Sequence, residues 1–152
     1  MISADPGGHA PGDPPRRTDS WPSLRRATGE PLTIVVVEDE TLAAIEIVAI
    51  VESCGGLAEI APTSAAALRS IADVRPDVIL MDIRLPDGDG VVTAGKIREI
   101  CDAAIVFITA STDAATLARI SQIGVLAVVR KPVNPKGLID AIVAAVRDRG
   151  GS

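Results

Sequence analysis

Five polar residues stand at the ends of apolar runs. Glu38 and Asp39 follow Leu32–Val37, Asp82 follows Val78–Met81, Thr109 closes Ala104–Thr109, and Lys131 comes shortly after Val125–Val129. Three carboxylates held close together repel one another and raise each other's pKa unless a cation sits among them. Oxygen ligands with no conveniently placed His or Cys favour a hard ion, Mg²⁺ with Mn²⁺ as a substitute, over Zn²⁺. Lys131 adds a compact positive charge and Thr109 a hydroxyl donor. Around one nucleophilic carboxylate, such a set suits phosphoryl transfer, in which catalysis is mostly positioning and charge neutralisation. The product would be an aspartyl phosphate, a known covalent role for Asp. Taken singly, Asp82 reads equally well as a loop aspartate and Lys131 as a solvated lysine before Pro132. The chemistry depends on their convergence.

Convergence is a matter of the elements that carry these residues. From Pro31 onward the chain alternates β-branched runs with segments of helical period. Strands are expected at Leu32–Val37, Leu57–Ala61, Asp77–Asp82, Ala104–Thr109 and Val125–Val129. Helices are expected over Glu40–Ser53, from Thr63 or Ser64 to Val74, from Gly90 to Cys101, over Asp113–Ile123 and over Pro135–Arg149. In the first helix the apolar stripe is read as Leu42, Ile45, Val48 and Val51, and Gly55-Gly56 stop it. Strands alternating with helices argue an α/β fold: a parallel sheet covered on both faces, hence a doubly wound (βα)5 sandwich of the flavodoxin-like type. With strand order 2-1-3-4-5, the carboxyl ends of the first, third, fourth and fifth strands meet in one cleft. Asp87-Gly88-Asp89-Gly90 is read as a turn leading into a helix N-terminus. A calcium loop would need further ligands.

With these residues in view, the chain resembles a response-regulator receiver domain over about residues 32–149. Glu38-Asp39 is similar to the acidic pair after the first strand, and Met81-Asp82-Ile83-Arg84-Leu85-Pro86-Asp87-Gly88-Asp89-Gly90 to the phosphoacceptor motif. Thr109-Ala110 and Lys131-Pro132 are similar to the family's hydroxyl and lysine positions. The resemblance implies that Asp82 accepts phosphate from a histidine kinase or phosphotransfer protein. It implies Mg²⁺ held by Asp39, Asp82 and the Arg84 backbone carbonyl, with Glu38 acting through water, and Thr109, Ala110 and Lys131 at the phosphoryl group. Self-phosphorylation by small phosphodonors and slow self-dephosphorylation are implied as well, without turnover as an enzyme. The family usually carries Tyr or Phe three residues before the lysine, where this chain has Val128. The aromatic swing that normally accompanies movement of the threonine hydroxyl has no ring here.

Composition narrows the rest. The chain has 152 residues, 47% of them hydrophobic, with Trp21 and Phe107 the only aromatics and a net charge of −5. Clustered basic residues and stacking aromatics, the marks of nucleic-acid binding, are missing. Cys54 and Cys101 match no metal spacing. The N-terminus has no signal-peptide core and no run suits a membrane span, so a cytoplasmic protein is expected, a monomer or weak homodimer. The only histidine, His9, lies in the N-terminal segment, so the folded part cannot be a phosphohistidine carrier. Residues 1–30, rich in Pro and without apolar period, are expected to be a disordered tail, and residues 31–150 the receiver domain. With room for one helix after the fifth strand, a stand-alone receiver is expected, its output a change of partner affinity or onward phosphotransfer. The face of the fourth helix, fifth strand and last helix is the first surface to consider for an unknown downstream partner. Two alternatives stand beside this reading: a phosphorylation-independent binding scaffold, and a haloacid-dehalogenase-type phosphatase. Glu38-Asp39-Glu40-Thr41 lacks the latter family's Asp-x-Asp pattern.

Overall fold

The structure, a computed structural model, describes residues 21–150 apart from residue 126. Its main sheet contains β1 (Thr33–Val37), β2 (Leu57–Ala61), β3 (Val78–Asp82), β6 (Ala104–Thr109) and β7 (Ala127–Arg130). Two short strands, β4 (Arg84–Leu85) and β5 (Gly88–Asp89), make a separate antiparallel hairpin. The helices are α1 (Thr41–Ser53), α2 (Ser64–Val74), α3 (Gly90–Ile100), α4 (Ala114–Gln122) and α5 (Pro135–Gly150). The five long strands are all parallel in the order β2-β1-β3-β6-β7, which is 2-1-3-4-5 with the hairpin set aside. The sheet is thus the flavodoxin-like one the alternation predicts.

Period 2 in the strands divides the core between the two faces. Ile34, Val36, Leu80, Val106 and Ile108 meet α1 and α5 through Ile47, Ile50, Val51, Leu138, Ile139 and Ile142. Val35, Val37, Ile79, Met81, Ile105 and Phe107 meet α2, α3 and α4 through Ala67, Ile71, Val91, Ala94, Ile97 and Ile120. Each Val, Leu, Ile, Met or Phe among them contributes roughly 1.5–3 kcal/mol when fully buried. Among the described residues, no helix is long and apolar enough to cross a membrane.

The structure corrects the sequence reading at three places. In α1 the buried residues are Ala44, Ile47, Ile50 and Val51, whereas Leu42 is 76% exposed and Ile45 52%. This helix is apolar nearly all round, so spacing alone offers two stripes, and docking against β1 and α5 selects one. The last strand starts at Ala127, later than the expected Val125; Leu126 lies outside the described residues.

The third correction concerns the expected tail. Residues 1–20 lie outside the described residues, but 21–30 are packed on the domain. Leu24 is fully buried among core residues, with Trp21 packed beside the same cluster. The Leu24 N–H donates to the Cys54 carbonyl (2.8 Å), and the Leu24 carbonyl accepts from Leu32 N–H (2.9 Å). The Arg26 guanidinium donates to Asp77 Oδ2 from Nε (3.1 Å) and Nη2 (2.9 Å). One well-placed leucine and a paired arginine overcome the ordering cost that the polar composition suggested would prevail.

Candidate functional site

Register brings the site together. Val37 of β1 lies opposite Met81 of β3, so Glu38 and Asp82, one residue further on, emerge at the same level. Asp82 lies opposite Ile108 of β6, and Thr109 opposite Arg130 of β7, which places Thr109 and Lys131 at the same rim. The Lys131 N–H donates to the Thr109 carbonyl at 2.9 Å. Carboxylate oxygens of Glu38, Asp39 and Asp82 all lie within 4.8 Å of one another. Glu38 and Asp82 are buried, at 3% and 8% exposure, and Asp39 faces solvent.

Lys131 bridges the two buried acids. Its Nζ donates to Glu38 Oε1 at 2.7 Å and to Asp82 Oδ2 at 3.4 Å. Partial burial acts to lower the ammonium pKa, but the hydrogen bond Lys131 donates to Glu38 and the charges of Asp82 and Glu38 outweigh it. The net effect holds Lys131 above the ordinary lysine value, fully charged at neutral pH. The other oxygens of these acids take backbone donors: Glu40 N–H to Glu38 Oε2 (3.2 Å) and Arg84 N–H to Asp82 Oδ1 (3.2 Å). Three carboxylates against one ammonium leave two negative charges uncompensated, the charge of one divalent cation. All-oxygen donors open to solvent on the Asp39 side fit Mg²⁺, which keeps several waters.

Thr109 stands at this rim, but its hydroxyl is engaged within its own loop. Oγ1 donates to the Ser111 carbonyl (2.9 Å) and accepts from Ser111 N–H (3.1 Å). Ala110 is exposed beside it. Val128 lies opposite Phe107 and packs, partly buried, on the α2–α3–α4 side of the core. The position therefore holds a small aliphatic group against the only ring among the described core residues.

The loop after Asp82 contains what the sequence reading left unnoticed. At the β4–β5 hairpin Arg84 pairs with Asp89 and Leu85 with Gly88, and Gly90 N–H then donates to the Ile83 carbonyl (2.6 Å). Gly90 lies so close to the Asp82 main chain that a β-carbon there would collide with the Asp82 carbonyl and the Ile83 Cα. Glycine is required by that approach. Asp89 caps α3, accepting from Val91 N–H (2.7 Å), and pairs with Arg119 of α4 at 2.9 Å. Burial works to raise its pKa, but Arg119 and the helix amides prevail and hold the carboxyl below the usual range. Asp87 accepts from Ser64 N–H and Ala65 N–H, which lower its pKa in turn. The expected turn and helix start are thus present. Asp89 as a cap was readable from its place before a helix, whereas nothing local marks Asp87 as the partner of a helix more than twenty residues earlier.

Comparison with known proteins agrees with this geometry. A family model described as the response regulator receiver domain matches residues 34–143. The positive alginate biosynthesis regulatory protein of Pseudomonas aeruginosa is 31% identical over 121 residues, 76% of this chain and 48% of that protein. A protein-glutamate methylesterase/protein-glutamine glutaminase of Hahella chejuensis is 36% identical over 109 residues, 68% of this chain and 31% of that protein. The chain therefore spans less than half the length of these curated relatives. Among solved structures, the signal receiver domain of a modulated diguanylate cyclase from Desulfovibrio desulfuricans superposes with a TM-score of 0.74 at 32% identity. That match covers 80% of this chain and 98% of the other. Receiver domains of this kind are phosphoacceptors of two-component signalling and generally bind Mg²⁺ at an acidic pocket. On sequence, topology and the acidic pocket together, the chain belongs to the response-regulator receiver family.

Proposed function

We propose that Asp82 accepts a phosphoryl group from the phosphohistidine of a histidine kinase or phosphotransfer protein. The observation that carries this reading is the buried Asp82 carboxylate, flanked by Glu38 and Asp39 and reached by Lys131. An Asp82 oxygen attacks phosphorus in line, a P–O bond forms as the P–N bond to the donor imidazole breaks, and the released imidazole nitrogen takes up a proton. Asp39, Asp82 and the Arg84 backbone carbonyl would hold Mg²⁺, or Mn²⁺ in its place, with Glu38 acting through water. The ion supplies charge neutralisation at the phosphoryl oxygens. Lys131 exchanges its long bond to Asp82 for one to a phosphoryl oxygen while keeping Glu38. Thr109 must leave Ser111 to donate its hydroxyl to the same group, with Ala110 lining the approach. Loss of phosphate by attack of water on phosphorus returns the carboxylate.

The output is a shift between two conformations, read by a partner only through its differential affinity for them. Val128 offers no ring to follow Thr109, so the signal reaches the α4–β7–α5 face by backbone and loop movement at residues 109–113. Incubation with acetyl phosphate and Mg²⁺, read by intact mass, should add about 80 Da, one phosphoryl group. Asp82→Asn should abolish the addition. Equal labelling of the variant would refute the assignment of Asp82, and no labelling of the parent chain would favour a phosphorylation-independent scaffold.

A further inference from the structure

The hairpin that follows Asp82 is fastened at its tip by a side chain for which the phosphoryl-transfer reading has no use. Asp87 Oδ1 accepts from Ser64 N–H at 2.8 Å and Oδ2 from Ala65 N–H at 3.0 Å, so both oxygens are spent on the first turn of α2. That helix already has a cap of its own, Thr63 Oγ1 accepting from Ala66 N–H at 3.0 Å. Helix N-terminal amides at an exposed site are readily satisfied by water, so α2 forms with or without Asp87. The hairpin is the part that gains from the contact, since a two-residue by two-residue ribbon is too short to hold a conformation alone.

A second tie joins the same elements. Ser64 Oγ and Thr93 Oγ1 of α3 lie 2.7 Å apart, and Thr93 Oγ1 donates to the Asp89 carbonyl at 3.0 Å. The hairpin thus hangs between the starts of α2 and α3, with Asp87 the only side chain at its tip bonded to α2 among the described residues. At its other end, Arg84 donates its N–H to Asp82 Oδ1, and its pairing with Asp89 fixes how the Arg84 peptide is aimed. Releasing the tip frees the hairpin to swing about its base, where Gly90 is bonded to Ile83 and pressed against the Asp82 main chain. The Arg84 peptide, one residue beyond that base, would swing with it relative to the carboxylates.

We propose that Asp87 is a positioning residue for phosphoryl transfer at Asp82: by clamping the hairpin tip to α2 it sets the Arg84 peptide against the acidic cluster. This rests on the reading of Asp82 as the phosphoacceptor. Asp87→Ala should weaken Mg²⁺ binding, followed by calorimetry, about tenfold, the lower end of what loss of an outer-shell partner costs a metal site. Labelling by acetyl phosphate should slow at low Mg²⁺ and recover towards the parent rate at saturating Mg²⁺. Asp87→Asn keeps one acceptor oxygen for two amides and should fall between. It carries the comparison if the alanine variant does not fold. Thr63→Ala is the decisive control, since it uncaps the same helix end without touching the hairpin. It should lower the unfolding midpoint and leave the Mg²⁺ dependence of labelling unchanged. An Asp87 variant with the parent's Mg²⁺ dependence overturns the proposal, as does a Thr63→Ala variant that reproduces the Asp87 defect. Absence of labelling in the parent chain defeats the phosphoacceptor reading and this proposal together, whereas labelling with an unaffected Asp87 variant defeats this proposal alone.

Discussion

Strand β3 is bracketed by two aspartates with opposite surroundings. Asp77, just before the strand, is held by the Arg26 guanidinium through two nitrogens and by Thr33 N–H, all at 2.9–3.1 Å. Its backbone carbonyl accepts from Arg149 of α5 at 2.7 Å. Asp82, five residues on, has two long bonds, one to Arg84 N–H and one to a lysine it shares with Glu38, and two further carboxylates beside it. A carboxylate at a strand end is therefore not reactive by position. Asp77 gathers a guanidinium and a backbone amide on one carboxylate oxygen, and so it fastens residues 21–31 to the sheet. Asp82 has like charge around it and keeps free lone pairs for a cation and a phosphoryl group.

The largest contrast between the two ends is functional. Asp82→Asn should remove labelling by acetyl phosphate altogether, whereas Leu24→Ala, at the opposite end, should leave labelling per folded molecule unchanged. That same Leu24→Ala should cost about 2–5 kcal/mol in a urea titration, as truncation of a fully buried leucine does. Reduced labelling of folded Leu24→Ala would show that residues 21–31 belong to the site. Asp77→Ala leaves Thr33 N–H without its acceptor and Arg26 with Glu30 alone, and should cost about 1–3 kcal/mol, again with parent labelling rates. Gly90→Ala sharpens the comparison, because its forced backbone shift, also about 1–3 kcal/mol by the usual cost of overpacking, falls on Asp82 itself. Stability and labelling should decline together in that variant alone.

The smallest effect concerns acid. The Asp89 carboxyl is held below its ordinary value in the folded chain. Its contribution is complete above the unfolded value of about 3.9 and is lost as pH falls through the lower folded value. Asp89→Asn should flatten the fall of the unfolding midpoint below about pH 4. Both partners are more than a third exposed, so solvent screening keeps the change modest. An unchanged acid slope would mean that the Asp89–Arg119 pair contributes nothing in solution.

Much of this was legible in the chain because it is local. Short β-branched and apolar runs give the strands, and the absence of polar positions within Val78–Met81 gives a strand buried on both faces. Thr63 and Asp89 are readable as caps, since a cap acts on amides two or three residues away. The α1 face was misread because Leu42 and Ile45 satisfy helical spacing as well as Ala44 and Ile47 do. Leu24 escaped notice because a single buried side chain in a Pro-rich stretch has no period. Asp87 on α2 and Arg26 on Asp77 escaped because each pairs with a partner more than twenty residues away.

By itself the sequence determined the alternation of strands and helices, and with it the rim at which Glu38, Asp39, Asp82, Thr109 and Lys131 emerge. Parallel strands of matched length can deliver their ends to one level in few ways. Only the tertiary structure decided how those groups are partnered. It gave Lys131 to Glu38 and Asp82, turned the Thr109 hydroxyl onto Ser111, pressed Gly90 against Asp82, and set the Arg26 guanidinium on Asp77 while leaving Asp82 with two long bonds among like charges. Hydrogen bonds and charge interactions act over a few ångströms of space, so a pattern along the chain can mark a cap but not a partnership between residues far apart in it.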